Sequence, residues 1–266
     1  MDNRKVIFKD LGIIEYKTAW DYQEKLLQEN VAIKSALRKA QEAVAVSSEA
    51  IPLTIDHSPL TIHDSPLTPH DSRLTTTNYF LFCEHPAVYT LGKSGNIGNV
   101  LMSEAELEEN NIQFFNTNRG GDITFHGLQQ VVGYPILDLE NFYTDIGKYL
   151  RNLEEVIILT IAEYGIKGER SGGETGVWIE PGTPGRERKI CAIGVRCSRW
   201  ITMHGFALNV NTDLSYFNNI IPCGIQNKQV TSIEKELGKK VDYEEVKLKI
   251  RNNFEKVFEA QAAAAV

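Results

Sequence analysis

RERKICAIGVRCSRW at residues 186–200, followed by HGFALNV at 204–210, is the stretch whose reading decides the fold class. Past its charged start it runs apolar through Ile190, Ala192, Ile193 and Val195, so 189–197 and 206–210 are expected strands. Upstream, strands are expected at 79–84, 114–115, 131–137 and 177–179. Residues 144–164 carry Ile146, Tyr149, Leu150, Leu153, Val156 and Ile157 at helical spacing, stopped by Gly165. The N-terminal part reads as a strand over 6–14 and a helix over 18–45 with Leu26, Ile33, Leu37, Ala40 and Val44 on one stripe. Ser103 with Glu106 marks a capping box for a short helix ending near 110. Thr231 with Glu234 and Asp242 with Glu245 mark the starts of two closing helices. Strands dominate the middle and helices lie at the ends and between, which predicts an α+β fold: a mixed β-sheet with packed helices, not a regular βαβ alternation. No GxGxxG or Walker loop is present, so a dinucleotide or P-loop fold has no support.

The 266 residues, 42% hydrophobic and 24% charged, suffice for one large domain with its own core. The net charge of −7 argues against a nucleic-acid partner. No apolar run is long enough to span a bilayer, and the charged first residues do not resemble a signal peptide, so a cytoplasmic protein without a membrane partner is expected. Cys83, Cys191, Cys197 and Cys223 form no CxxC pair; they read as free thiols and no metal site is expected. Residues 53–75 repeat a proline-broken heptad, LTIDHSP, LTIHDSP, LTPHDSR. Its His57, His63 and His70 admit a metal-binding tract, but the composition favours a solvated insertion within one domain over 1–266.

Three segments carry polar residues suited to chemistry. RGGDITFHG at 119–127 is either a ligand-approaching glycine loop or a strand-connecting turn. Lys189 opens a buried strand, where an ammonium either loses solvation or snorkels to the edge. In IIPCGIQNK, 220–228, Cys223 stands between Pro222 and Gly224 in a loop context, which makes it the best nucleophile of the four cysteines and Cys197 the weaker rival. Five basic residues between 186 and 199 face one acid, Glu187, and suggest a docking patch for an acidic partner.

Read together, CEHPAVYTLGKSG (83–95), RGGDITFHG with QVVGYPILDL (130–139), KICAIGVR (189–196), HGFALNVNTDLSYF (204–217) and PCG (222–224) resemble the lipoyl(octanoyl) transferases of the biotin/lipoate protein ligase superfamily. The resemblance implies an acyltransferase that moves an octanoyl group from octanoyl-acyl carrier protein to a lysine of lipoyl domains in protein lipoylation. Its acceptors would be lipoyl domains of 2-oxoacid dehydrogenases and the glycine cleavage carrier protein, and no cofactor is implied. It assigns Cys223 as the thioester-forming residue and Lys189 as the residue that lowers its pKa. The acyl pocket falls to Arg119, Gly120, Gly121 and Asp122, to Ile123, Thr124, Phe125 and His126, and to Ala192, Ile193, Gly194, Gly205, Phe206 and Ala207. An ATP-dependent lipoate or biotin ligase, or a non-catalytic lipoyl-domain binder, is the alternative. Two features depart from the family pattern: the heptad insertion, and Leu128-Gln129 where the family has Pro-Gly, a change expected to alter a tight turn beside the acyl site.

Overall fold

The computed structural model describes residues 4–49, 75–221 and 229–263. The heptad tract up to 74, with His57, His63 and His70, and the Pro222-Cys223-Gly224 motif lie outside the described residues.

Strand β1 (Lys5–Ile13) leads into a long helix, α1 (Tyr16–Glu49); β2 (Asn78–Glu84) and β3 (Val88–Leu91) follow. A short helix α2 (Glu104–Glu109) precedes β4 (Gln113–Asn116), β5 (Ile123–His126) and β6 (Gln130–Ile136). Helix α3 (Ile146–Ala162) is followed by β7 (Glu169–Arg170), β8 (Val177–Ile179), β9 (Arg188–Ser198) and β10 (Ile201–Asn209). The chain closes with β11 (Gln229–Val230), α4 (Ile233–Leu237), α5 (Tyr243–Phe258) and β12 (Gln261–Ala263). The large sheet runs β12-β1-β2-β6-β10-β9-β8-β7, with β11 added beside β9; β4-β3-β5 form a second, small sheet. β1 pairs in parallel with β2 and β12, whereas β2, β6, β10, β9 and β8 pair antiparallel. The expected mixed sheet with packed helices is what forms.

Every residue of β6 and β10 is buried, because helices cover both faces of the sheet. On one face Ala19, Leu26 and Leu27 of α1 pack on Leu81, Val132, Tyr134, Ile136 and Met203. On the other, Tyr149, Leu153, Val156 and Ile157 of α3 and Val246, Ile250 and Phe254 of α5 meet Phe80, Phe82, Phe206 and Leu208. These positions recur every three or four residues, the spacing of one helix face.

Local rules place most element ends. The Ser103–Glu106 capping box forms in full. Asp145 caps α3 and Asp242 caps α5. At α4 the cap is Ser232, not the expected Thr231: the Ser232 hydroxyl accepts from Lys235 N, while Thr231 Oγ1 donates to Glu236. β10 begins at Ile201, five residues earlier than expected, because Arg199 and Trp200 make a two-residue hairpin turn with both φ values positive (50° and 66°). Gln129 also takes a positive φ, 60°. The left-handed turn is therefore made without glycine. Gln129 N donates to Glu84 Oε2 (2.6 Å), and its carbonyl accepts from Asn211 N (3.1 Å) and Thr212 Oγ1 (2.9 Å). These bonds hold a conformation that disfavours a side chain by roughly 1 kcal/mol.

Candidate active site

A cavity of about 550 Å³ opens where β9, β10 and the loop before β5 meet. Its making depends on residues without side chains. Gly205 pairs with Gly194 across β10 and β9, and Phe206 pairs with Gly133 across β10 and β6. A Cβ at Gly205 would stand 2.1 Å from Gly133 O, and one at Gly194 would stand 2.7 Å from Gly120 O. The Arg119-Gly120-Gly121 loop can thus lie on the sheet, with Gly120 N donating to Val195 O at 2.9 Å.

Arg119 is 7% exposed and is spent largely on its own framework. Nη2 donates to Thr90 O (2.5 Å) and Thr90 Oγ1 (2.9 Å), and Nη1 donates to Gly120 O (3.1 Å). Asp122 accepts from Ile123 N (2.7 Å) and Asn99 Nδ2 (2.7 Å), which ties the loop to the segment after β3. Of the residues read from the sequence, Arg119, Gly120, Gly121, Asp122, Ile123, Thr124 and His126 line the cavity. Lys189, Ala192, Ile193, Gly194, Gly205, Phe206 and Ala207 do so as well. Phe125 points elsewhere, stacked on Tyr216 (ring centroids 4.6 Å apart) in the core of the small sheet.

The sequence reading missed other wall residues. Ile146 and Leu150, one turn apart on α3, contribute apolar surface, as do Phe217 and Val230. Tyr16, Gln130, Tyr134, His204 and Glu174 add polar groups. The apolar periodicity of 144–164 contained the signal for Ile146 and Leu150; Glu174 belongs to no motif that marks it.

Three imidazoles cluster near this cavity, and burial chiefly keeps each neutral. His204 is lowered to about 3, with Arg119 and Arg196 adding repulsion, and His85 to about 4; His126 falls well below the ordinary histidine value. His126 Nδ1 donates to Gln130 Oε1 at 2.9 Å, and His204 Nε2 donates to Asn118 Oδ1 at 2.7 Å. His85 Nδ1 donates to Ile14 O at 2.7 Å, so its Nε2 accepts from Tyr134 OH at 2.8 Å.

The three described cysteines carry no sign of activation. Burial raises the thiols of Cys83 and Cys191, and raises half-buried Cys197 too. Lys189 lies at the cavity wall, its side chain 12% exposed. Its Nζ is 3.7 Å from Glu174 Oε2 and 4.5 Å from the centre of the Trp178 ring. The expected basic docking patch is not a free face. Arg186 and Arg188 share Glu180, Arg188 also binds Glu236, Arg196 binds Glu24, and Arg199 donates to Ser35 Oγ. Glu180, Glu236 and Glu24 thus pair with Arg186, Arg188 and Arg196 of the stretch that looked uncompensated, while Arg199 meets a neutral hydroxyl.

Of the described chain on either side of 222–228, Phe217 before it and Val230 after it line this cavity. Val100 bridges to Ile220, and Ile221 N donates to Asn99 O at 2.8 Å. Beyond the segment, Val230 pairs with Lys189 and Thr231 N donates to Lys189 O at 3.0 Å.

The architecture is that of the lipoate protein ligases. The bipartite lipoate protein ligase of Thermoplasma acidophilum, solved in a study with its E2 lipoyl domain, is similar over 98% of this chain and 86% of its own, with a TM-score of 0.62 at 14% identity. In sequence, residues 61–255 match the lipoyl protein ligase A/B catalytic domain. An octanoyltransferase of Christiangramia forsetii is 53% identical over 97% of this chain and 98% of its own. One of Flavobacterium psychrophilum is 54% identical over 97% and 98%. The chain belongs to the lipoyl protein ligase A/B catalytic-domain family and, within it, to the lipoyl(octanoyl) transferases, acyltransferases of protein lipoylation. The readings as an ATP-dependent ligase or a non-catalytic binder give way to this one. No described helix is long and apolar enough to cross a membrane.

Proposed function

We propose that this octanoyltransferase works through a thioester on Cys223, with Lys189 as its proton partner. The donor is octanoyl-acyl carrier protein. The acceptors are lysines of lipoyl domains, those of 2-oxoacid dehydrogenases and the glycine cleavage carrier protein. The free thiols of Cys83, Cys191 and Cys197 suit a reducing compartment, and we assign the reaction to the cytoplasm. The observation that carries the proposal is the placement of the chain that flanks 222–228: Ile220 and Ile221 are tied to Val100 and Asn99, and Val230 pairs with Lys189 itself. The raised thiols of the other three cysteines support the same choice.

In the first half-reaction the Cys223 thiolate attacks the thioester carbonyl. The carbon–sulfur bond to the carrier breaks, and the departing thiolate takes a proton from the Lys189 ammonium. In the second, the acceptor amine attacks the acyl-enzyme, Lys189 recovers a proton from that nitrogen, and Cys223 leaves as thiolate. The cycle closes without net gain or loss of protons on the enzyme. Ile146, Leu150, Ile193 and Phe206 give the acyl chain an apolar wall. At about 0.8 kcal/mol per buried methylene, the seven carbons beyond the carbonyl contribute roughly 5 kcal/mol.

Intact-mass analysis after incubation with octanoyl carrier protein tests this. An octanoyl adduct is expected on the wild type and on Cys83→Ala, Cys191→Ala and Cys197→Ala, and its loss on Cys223→Ala. An adduct that survives in Cys223→Ala moves the nucleophile elsewhere. Lys189→Ala is expected to slow both half-reactions and to raise the pH at which iodoacetamide alkylates Cys223.

A further inference from the structure

SGGETGVW, residues 171–178, joins β7 to β8 and carries Glu174 to the cavity wall. One carboxylate holds both ends of this connection. Glu154 of α3 is fully buried. Its Oε1 accepts from Gly176 N at 3.0 Å, and its Oε2 accepts from Arg170 Nε at 3.1 Å and pairs with Arg151 at 2.7 Å. Gly176 adopts φ +127°, which side chains rarely adopt, and a Cβ there would lie 2.6 Å from Cys191 O. The loop is therefore pinned to α3 on either side of Glu174 and lies close against β9 at Gly176. The Glu174 side chain is 17% exposed, and its carboxylate faces the Lys189 ammonium at 3.7 Å, while the Trp178 ring of β8 faces the same ammonium at 4.5 Å.

We propose that Glu174 is a positioning residue for octanoyl transfer: its carboxylate holds the Lys189 ammonium at the cavity wall, where that amine exchanges protons with the carrier's thiolate and the acceptor's nitrogen. This inference rests on the assignment of Lys189 as the proton partner. An ion pair at this distance fixes where the Lys189 ammonium stands relative to the cavity, and proton transfer depends on that placement. The other described groups near Lys189 differ in kind. Trp178 on β8 is uncharged, Cys191 on β9 is a buried thiol, and Glu154 on α3 is engaged by two arginines. Arg119, His126 and His204 on the remaining walls bring no negative charge, and Asp122, the other acid among the described wall residues, accepts from Ile123 N and Asn99 Nδ2.

Steady-state transfer from octanoyl carrier protein to a lipoyl domain tests the proposal in wild type, Glu174→Gln, Glu174→Asp and Lys189→Ala, with melting temperatures read beside it. Glu174→Gln is expected to lower kcat about tenfold or more. KM for the lipoyl domain should stay within about twofold and the melting temperature unchanged, and Glu174→Asp should restore part of kcat. A merely structural loop residue would lower the melting temperature and gain nothing from Asp. Wild-type kcat in Glu174→Gln, together with a loss in Lys189→Ala, overturns the role of Glu174 alone. Wild-type kcat in Lys189→Ala overturns the lysine assignment, and this inference with it.

Discussion

Gly205 shows how much of the site depends on one missing methyl group. Its position on β10 is extended, so the glycine is required by proximity: the nearest atom to a Cβ is the backbone oxygen of Gly133, which cannot rotate away. Gly205→Ala must separate β10 from β6 beneath the cavity, and overpacking of this kind costs about 1–3 kcal/mol. Thermal melting should show that loss, with octanoyl transfer falling further than stability because the Gly194–Gly205 pair forms the cavity wall. Gly182→Ala, where nothing lies within 4 Å of the added carbon, is the control and should be silent. Equal melting temperatures for the two variants would contradict the close-approach argument.

Among the elements, α1 has the geometry that decides how the heptad tract can be removed. The chain returns from that tract beside the middle of the helix, where Asn30 Nδ2 donates to Thr77 O (2.9 Å) and Thr77 N donates to Asn30 Oδ1 (2.8 Å). The helix continues to Glu49, about 28 Å farther at 1.5 Å per residue. Deleting 53–73 leaves a connection that reaches only about 20 Å when fully extended. Unwinding roughly one terminal turn supplies the difference, and that end of α1 is exposed at Gln41, Glu42 and Ala43. The deletion variant is expected to keep wild-type transfer activity and lose helical circular dichroism equivalent to no more than about one turn of α1. Loss of folding would show that the tract packs on the domain.

At the scale of the whole molecule, burying three imidazoles beneath Tyr16 and Trp20 of α1 makes the fold acid-sensitive. In the unfolded chain each takes up a proton near its ordinary value of 6.5, whereas the folded protein holds His85 to about 4 and His204 to about 3, with His126 well below normal. Below pH 6.5 the unfolded state therefore binds more protons, and stability falls with pH until each folded value is reached. Each group contributes up to about 1.4 kcal/mol per pH unit within its window. Melting at pH 7.5 and pH 5 should differ by several degrees, the acid value being lower. A melting temperature flat over that interval would mean the imidazoles are not held neutral.

Local patterns in the chain determined the described α-helices and six of the nine described strands of the large sheet, whereas the two- and three-residue strands β7, β11 and β12 carried no local sign. Cap residues such as Ser103 and Asp242, the alternation of strands and helices, and the apolar stripe of α3 depend on neighbours a few residues away. The cavity residues were read from the family resemblance; taken alone, the run at 119–127 read equally as a turn and Lys189 also as a strand-edge lysine, because local sequence does not show what a loop or an ammonium faces. Other features depended on contacts that sequence distance conceals. The basic run at 186–199 looked uncompensated until folding brought Glu180, Glu236 and Glu24 against it. Gln129 keeps a left-handed turn because Glu84 and Asn211 brace it from other strands. Phe125 turns from the cavity into the small sheet's core, and Glu174 reaches Lys189 only because Glu154, two elements earlier, holds the intervening loop. Charge pairing and backbone bracing act through space, so they were decided only when the sheet brought distant segments within a few ångströms.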